Sequence, residues 1–264
     1  MYLAMEYTFV KFSIENNVGL IKLNRPDVLN SFNRQMALEL QSVLDECKTN
    51  TSVRAILLSG EGRAFCAGQD LAEAISTDGP ELQKIVKEHY NPIILKIRNI
   101  EKPVVCAVNG VAAGAGANIA LACDITIAAK SASFIQAFSK IGLIPDSGGT
   151  FTLPRLIGLQ KASALMMLGD KIMAEEAERM NMIYKSFSDD SFFEEAFAIV
   201  SKLAKMPTKA IGLTKRALNS ALFNSLVVQL DLEEKLQTES GNSFDYNEGV
   251  AAFLEKRKPV FKGE

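Results

Sequence analysis

The stretch Asn109-Gly110-Val111-Ala112-Ala113-Gly114-Ala115-Gly116-Ala117-Asn118, followed by Ile144-Pro145-Asp146-Ser147-Gly148-Gly149, decides how this chain is read. Both segments are glycine-rich turns. Without a Cβ, glycine lets backbone approach a ligand closely, and a helix opening just after such a turn directs unpaired N–H groups outward. That geometry suits a developing negative charge. Asp146 in the second turn then reads as a proton-transfer group opposite an anion-stabilising turn, the layout of an enzyme site. Its competing reading is a turn aspartate after Pro145 that caps the next helix.

Around this core the chain alternates strands and helices. Phe9–Ile14 and Val18–Leu23 read as strands joined by Glu15-Asn16-Asn17, and Asn33 is placed to cap a helix through Met36, Leu38, Leu40 and Leu44. Val53–Leu58 is expected as a third strand, and Glu81–Ile97 as one helix rich in Ile and Leu. Between Val104 and Cys123 no residue is charged, a length that raises a membrane span. The run is mostly Ala, Gly and Val, is interrupted by Asn109 and is followed at once by Asp124. A buried strand (Val104–Val108), a glycine turn, a buried helix (Gly116–Cys123) and a further strand (Ile125–Ala129) explain it better. Beyond Leu203 the pattern is helical only, with a break at Pro207. The expected division is therefore a core of residues 1–203 and a helical region of residues 204–264.

Composition narrows the function. With 264 residues, 48% hydrophobic and 23% charged, the chain has the makeup of a globular α/β protein rather than a disordered one. A net charge of −2 gives no electrostatic reason to bind nucleic acid or an anionic membrane. Cys47, Cys66, Cys106 and Cys123 are scattered, and His89 is the only histidine, so neither a metal site nor a disulfide framework is indicated. Reduced, buried cysteines fit a cytoplasmic protein. Met1-Tyr2-Leu3-Ala4-Met5-Glu6 lacks the basic and apolar regions of a signal peptide. His89 lies in a helix and no GxSxG motif is present, so a nucleophile–histidine triad is unsupported. Tyr90 beside it is a candidate for lining a pocket, with a core or interface role as the alternative.

Asn24-Arg25-Pro26, Phe65-Cys66-Ala67-Gly68-Gln69-Asp70, Ala107-Val108-Asn109-Gly110, Cys123-Asp124, Ile144-Pro145-Asp146-Ser147-Gly148-Gly149-Thr150 and Ala252-Phe253-Leu254-Glu255-Lys256-Arg257 occur in the order in which the crotonase superfamily carries them. The chain resembles that superfamily, the enoyl-CoA hydratases and isomerases, over nearly its whole length. The resemblance implies a crotonase (ClpP-like) α/β spiral of ββα units with a C-terminal all-helical trimerisation region, assembled as a homotrimer or a dimer of trimers. It implies an acyl-CoA thioester as substrate, with coenzyme A part of that substrate and no separate cofactor. It assigns the N–H groups of Gln69 and Ala115 to an enolate oxygen, with Ala67, Gly68, Asp70 and Gly114 shaping the binding turns. Phe253 and Lys256 would reach the CoA of a neighbouring subunit, and their three-residue spacing puts both on one helical face.

Hydratases of the superfamily use two glutamates, and matching the motifs places those positions at Asn118 and Phe138, neither of which can act as a base. The position of Asp146 carries the catalytic aspartate in several isomerases. His89-Tyr90-Asn91-Pro92, Ala137-Phe138-Ser139-Lys140 and Asp245-Tyr246 resemble the branch that rearranges ring-epoxide thioesters in phenylacetate breakdown. An isomerase is therefore expected, using Asp146 in apolar surroundings from Phe134, Phe138, Ile141, Leu143 and Ile144. Tyr90, Phe134, Phe138 and Ile141 would form a broad, flat acyl pocket. A different CoA-thioester chemistry and a non-catalytic binding protein remain the alternatives.

Overall fold

The computed structural model describes residues 7–77 and 79–264; the N-terminal hexapeptide weighed above as a possible leader lies outside them. In chain order the elements are β1 (Val10–Glu15), β2 (Val18–Leu23), α1 (Arg34–Thr49), β3 (Ala55–Gly60), β4 (Ala64–Cys66), α2 (Leu71–Ala74) and α3 (Leu82–Lys84). A π-helical turn (Ile85–Tyr90) leads into α4 (Asn91–Asn99), β5 (Val104–Val108), β6 (Val111–Ala113), α5 (Ala115–Ala122), β7 (Ile125–Ala129) and β8 (Ser133–Ile135). A 3-10 turn (Ala137–Ile141) precedes α6 (Gly149–Ile157), α7 (Leu159–Leu168), β9 (Lys171–Met173), α8 (Ala174–Arg179) and β10 (Lys185–Phe187). The chain closes with α9 (Phe192–Ala204), α10 (Thr208–Ala221), α11 (Leu226–Gly241) and α12 (Phe244–Leu254).

Two sheets organise the core. The larger runs β1-β2-β3-β5-β7-β10, and the smaller runs β4-β6-β8-β9. In the larger, β1 and β2 form an antiparallel hairpin and every later pairing is parallel. In the smaller, β4, β6 and β8 pair in parallel and β9 returns antiparallel. β3 and β5 are buried along their whole length, as central parallel strands covered on both faces must be. The hydrophobic effect there is large: fully burying one Ile or Leu is worth about 1.5–3 kcal/mol, and Ile56, Leu58, Val104 and Val105 are all inaccessible. Among the described residues no helix is long and apolar enough to cross a membrane. The uncharged run of residues 104–123 is instead β5 and α5, both buried, and the partly buried β6 between them.

Some expectations needed correction. The third strand begins at Ala55, because Val53 belongs to a turn in which its N–H donates to Asn50 O (3.1 Å). The glycine turn after β5 contains a strand, β6, too short for any period to show. The helix expected over Glu81–Ile97 is three pieces. Pro92 has no N–H with which to continue an α-helical ladder, and the carbonyls of Glu88 and His89 instead accept from Gln41 Nε2 at 2.8 and 3.2 Å. Asn33 does cap α1, accepting from Met36 N at 2.9 Å.

Candidate active site

The two sheets set the site by bringing two turns together. The first follows β4. Phe32 pairs with it on the backbone, donating its N–H to Gly68 O (2.7 Å) and accepting from Asp70 N (2.8 Å). Ala67 N donates to Leu29 O (2.9 Å). Asp70 caps α2 through Ala72 N and is bridged by Arg25 at 2.9 Å. The second turn follows β6 and opens α5, with Gly114 N donating to Ile135 O (2.9 Å). Gly68 (φ +95°) and Gly114 (φ +52°) both hold conformations that L-residues rarely adopt. A Cβ on Gly68 would stand 3.0 Å from Ala113 O and 3.7 Å from Ala115 N, and one on Gly116 would strike Cys66 O at 2.5 Å. Glycine at these positions is what allows the turns to touch. Neither Gln69 N nor Ala115 N donates to any described group, so two backbone donors are left free on adjacent turns.

Asp146 is held against α5 through Asn118. Its carbonyl accepts from Asn118 Nδ2 (2.9 Å) and from Gly149 N (2.9 Å). Its carboxylate does not cap the next helix: the cap of α6 is Gly148, with no side-chain hydrogen bond. Ser147 Oγ donates to Asp146 Oδ1 at 2.9 Å. Burial raises the pKa of this half-buried carboxylate above its ordinary value, with the Ser147 hydrogen bond opposing that shift. A carboxylate raised in this way is a better proton acceptor than an exposed one.

The other expected residues fall into three groups. Tyr90 is fully buried, donates its hydroxyl to Gln69 Oε1 (2.7 Å) and meets Phe32 edge-on at 5.8 Å between ring centroids. It braces the Gln69 turn from beneath. Its phenol is pushed well above its usual range, chiefly by burial, with Cys66 and Asp146 among the smaller causes, so it lies within electrostatic reach of Asp146. Phe138 is buried in the 3-10 turn, its ring 3.8 Å from where a Cβ on Gly114 would stand. Asn118, 1% exposed, spends its amide on Asp146 O and on Gln136 Nε2 (2.8 Å).

Other expectations are corrected. Phe134 belongs to the core of β8, and Ile141, Leu143 and Ile144 are 54%, 37% and 80% exposed. Gly142 (φ +73°) ends the 3-10 turn in the left-handed region. The 146–149 loop has Asn118 and Ile94 as its neighbours instead. Phe134 and Tyr90 are thus buried in the single chain while Ile141 is exposed. Lys256 lies beyond the end of α12 at φ +54°, so it does not share a helical face with Phe253, which is 83% exposed. His89 is buried, with Nε2 3.1 Å from Arg34 Nη1. Cys66, beside the first turn, has its thiol pushed up to about 12 by burial, which removes it as a nucleophile. Gln136 and Ser147 were missed as partners. Ser147 stood in the quoted motif, whereas nothing in the sequence singles out Gln136.

A model for enoyl-CoA hydratase/isomerase matches residues 13–264. The chain belongs to the enoyl-CoA hydratase/isomerase family. The 1,2-epoxyphenylacetyl-CoA isomerase of Escherichia coli K12 is 47% identical, over 97% of this chain and 99% of its own. A Rhodobacter capsulatus protein named "Probable enoyl-CoA hydratase" is 45% identical, over 98% and 100%. The crystal structure of an enoyl-CoA hydratase from Bacillus anthracis superposes with a TM-score of 0.91 at 32% identity, covering 97% of this chain and 100% of that one. The expected fold class, mixed α/β with parallel sheets, is thus the family's. This family member is an enzyme, and the two relatives named here carry names of different reactions.

Proposed function

We propose that this enzyme is an acyl-CoA isomerase in which Gln69 N–H and Ala115 N–H hold the thioester oxygen and Asp146 moves the proton. The carrying observation is Asp146 itself: a half-buried carboxylate with a raised pKa, free of any capping duty, gripped beside the helix that presents Ala115. Removal of a proton next to the thioester carbonyl places charge on the carbonyl oxygen, and a donor already in position is worth about 2.7–4 kcal/mol of barrier. Asp146 then returns the proton to another carbon of the same acyl group. Nothing is added or lost, so one carboxylate suffices and no cofactor beyond the substrate's own CoA is needed.

Ring-1,2-epoxyphenylacetyl-CoA, converted to oxepin-CoA, is the substrate we favour, on the similarity to the E. coli isomerase. A linear 3-enoyl-CoA, shifted to 2-enoyl-CoA, is the second reading, because the same single carboxylate and the same pair of free N–H groups serve that proton transfer equally. Hydration is disfavoured because Asn118 and Phe138 stand at the two positions matched to the hydratase glutamates. Incubating the enzyme with each thioester in heavy water and weighing the products tests this. Isomerisation leaves composition unchanged apart from deuterium, hydration adds the mass of water, and hydrolysis frees CoA. Crotonyl-CoA hydration as fast as isomerisation would overturn the proposal.

A further inference from the structure

Asn118 and Gln136 form a chain of amides that ends on the backbone of the proposed base. Gln136 Nε2 donates to Asn118 Oδ1 at 2.8 Å, and Asn118 Nδ2 donates to Asp146 O at 2.9 Å. Both side chains are buried, at 2% and 1% exposure. The framework at each end is rigid. Gln136 directly follows β8, whose partner β6 runs straight into Gly114, and Ile135 O accepts from Gly114 N. Asn118 lies on the first turn of α5, and its N–H donates to Gly114 O at 3.1 Å. Gly149 has no Cβ, and one added there would come within 2.3 Å of Asn118 Nδ2. The Asp146 loop therefore presses directly onto this amide. Gln136 Oε1 is buried without a hydrogen-bond partner among the described residues. An unsatisfied buried acceptor costs stability, and the donor on the other amide atom of Gln136 is what sets against that cost.

We infer that Asn118 and Gln136 are positioning residues, a strut that fixes the separation between Asp146 and the Ala115 N–H. This rests on the reading of Asp146 as the base. The strut touches the backbone of Asp146 rather than its carboxylate, so it sets where the base stands and leaves its proton affinity to burial and Ser147. A misplacement of about 1 Å can cost on the order of 100-fold in rate. Loss of the strut should therefore appear in kcat and not in thioester binding.

The test uses Gln136→Leu and Asn118→Ala in the full-length enzyme, assayed with whichever of ring-1,2-epoxyphenylacetyl-CoA and 3-hexenoyl-CoA the parent turns over faster. Gln136→Leu keeps the side chain's bulk and exchanges one unpartnered buried acceptor, Gln136 Oε1, for another, Asn118 Oδ1, so it should melt close to the parent while kcat falls about 10-fold to 100-fold and KM stays within about twofold. Asn118→Ala should lose at least as much kcat. If Asn118→Ala does not fold, Gln136→Leu decides alone. Parental kcat in Gln136→Leu, or a loss confined to KM, overturns the strut. Asp146→Asn separates the two claims: parental turnover there sinks the base assignment, whereas an inactive Asp146→Asn beside a parental Gln136→Leu sinks only the strut.

Discussion

Asp146 contributes most of the chemistry proposed here and does so against the stability of the fold. Replacing it with Asn removes the base while keeping its shape, so turnover should fall by about 100-fold or more with thioester binding nearly intact, measurable by steady-state kinetics and calorimetric titration of a CoA thioester. The parent's kcat should fall on the acid side at a pH above the ordinary carboxylate range, because a protonated Asp146 accepts nothing and burial raises its pKa. Stability follows the same shift with a definite sign. A carboxyl whose folded pKa exceeds its unfolded value favours folding below the unfolded value, and that contribution is lost as pH rises through the folded one. At neutral pH the ionised group therefore costs stability. Asp146→Asn should melt above the parent at neutral pH and lose that advantage in acid, and a variant that melts lower at neutral pH would contradict the assigned shift.

At the scale of elements, a buried ammonium ties α10 to the core beside the Arg216–Glu101 and Asn219–Arg98 contacts. Lys215, only 5% exposed, lies 2.7 Å from Asp124 Oδ2 and donates to Ile97 O at 2.6 Å. Asp124 also accepts from Val104 N at 2.8 Å, so helix, loop and central strand share one charge pair. Removing one partner of a buried pair strands the other, at about 3–5 kcal/mol. Asp124 is 19% exposed and also has Arg98 Nη1 at 3.5 Å, so Lys215→Met leaves it partly paired and should cost less than that in urea unfolding, and Asp124→Asn combined with it should recover part of the loss. The sequence displayed Asp124 within a motif but gave no sign that Lys215 would reach it, since ninety residues separate them and charge pairing has no periodicity. The same contrast runs through the elements. β1, β2, β5 and β7 were legible because five or six residues of period or apolar run suffice to mark a strand. β4, β6, β8 and β9, at three residues each, carry too little pattern, yet three of them build the frame of the site. The π-helical turn escaped notice because its register depends on Gln41, a partner on α1. The site itself was legible at its glycines and at Asp146, where backbone geometry restricts residue type, and illegible at Gln136, where only a tertiary neighbour matters.

On the whole molecule, apolar side chains stay uncovered on the C-terminal helices. Leu218, Phe223, Leu226, Val227 and Leu230 are 63%, 74%, 74%, 69% and 54% exposed, beside a groove of about 660 Å³ between α10 and α11. We propose that further copies of the chain cover them, as a trimer or a pair of trimers. Truncation after Gly241 should weaken both that assembly and CoA binding, read by light scattering coupled to gel filtration and by thioester titration. It would remove Asp245, which accepts from Lys262 N and Gly263 N, and Phe261, whose carbonyl accepts from Arg54. A truncated chain that is monomeric and fully active would contradict the assembly-linked site.

The two free amides on the touching turns have an effect on how this chain can vary. An N–H belongs to every residue except proline, so the side chains at Gln69 and Ala115 can change without deleting a donor. In a saturation library selected for turnover, Ala115→Ser should pass nearly unnoticed, while Gly114→Ala should be depleted, since Gly114's own φ of +52° combined with ψ of −127° is a conformation that side chains rarely adopt. A tolerance map would therefore mark the hinge residues and overlook the donors themselves, and lineages could drift at both donor positions while keeping the same anion pocket.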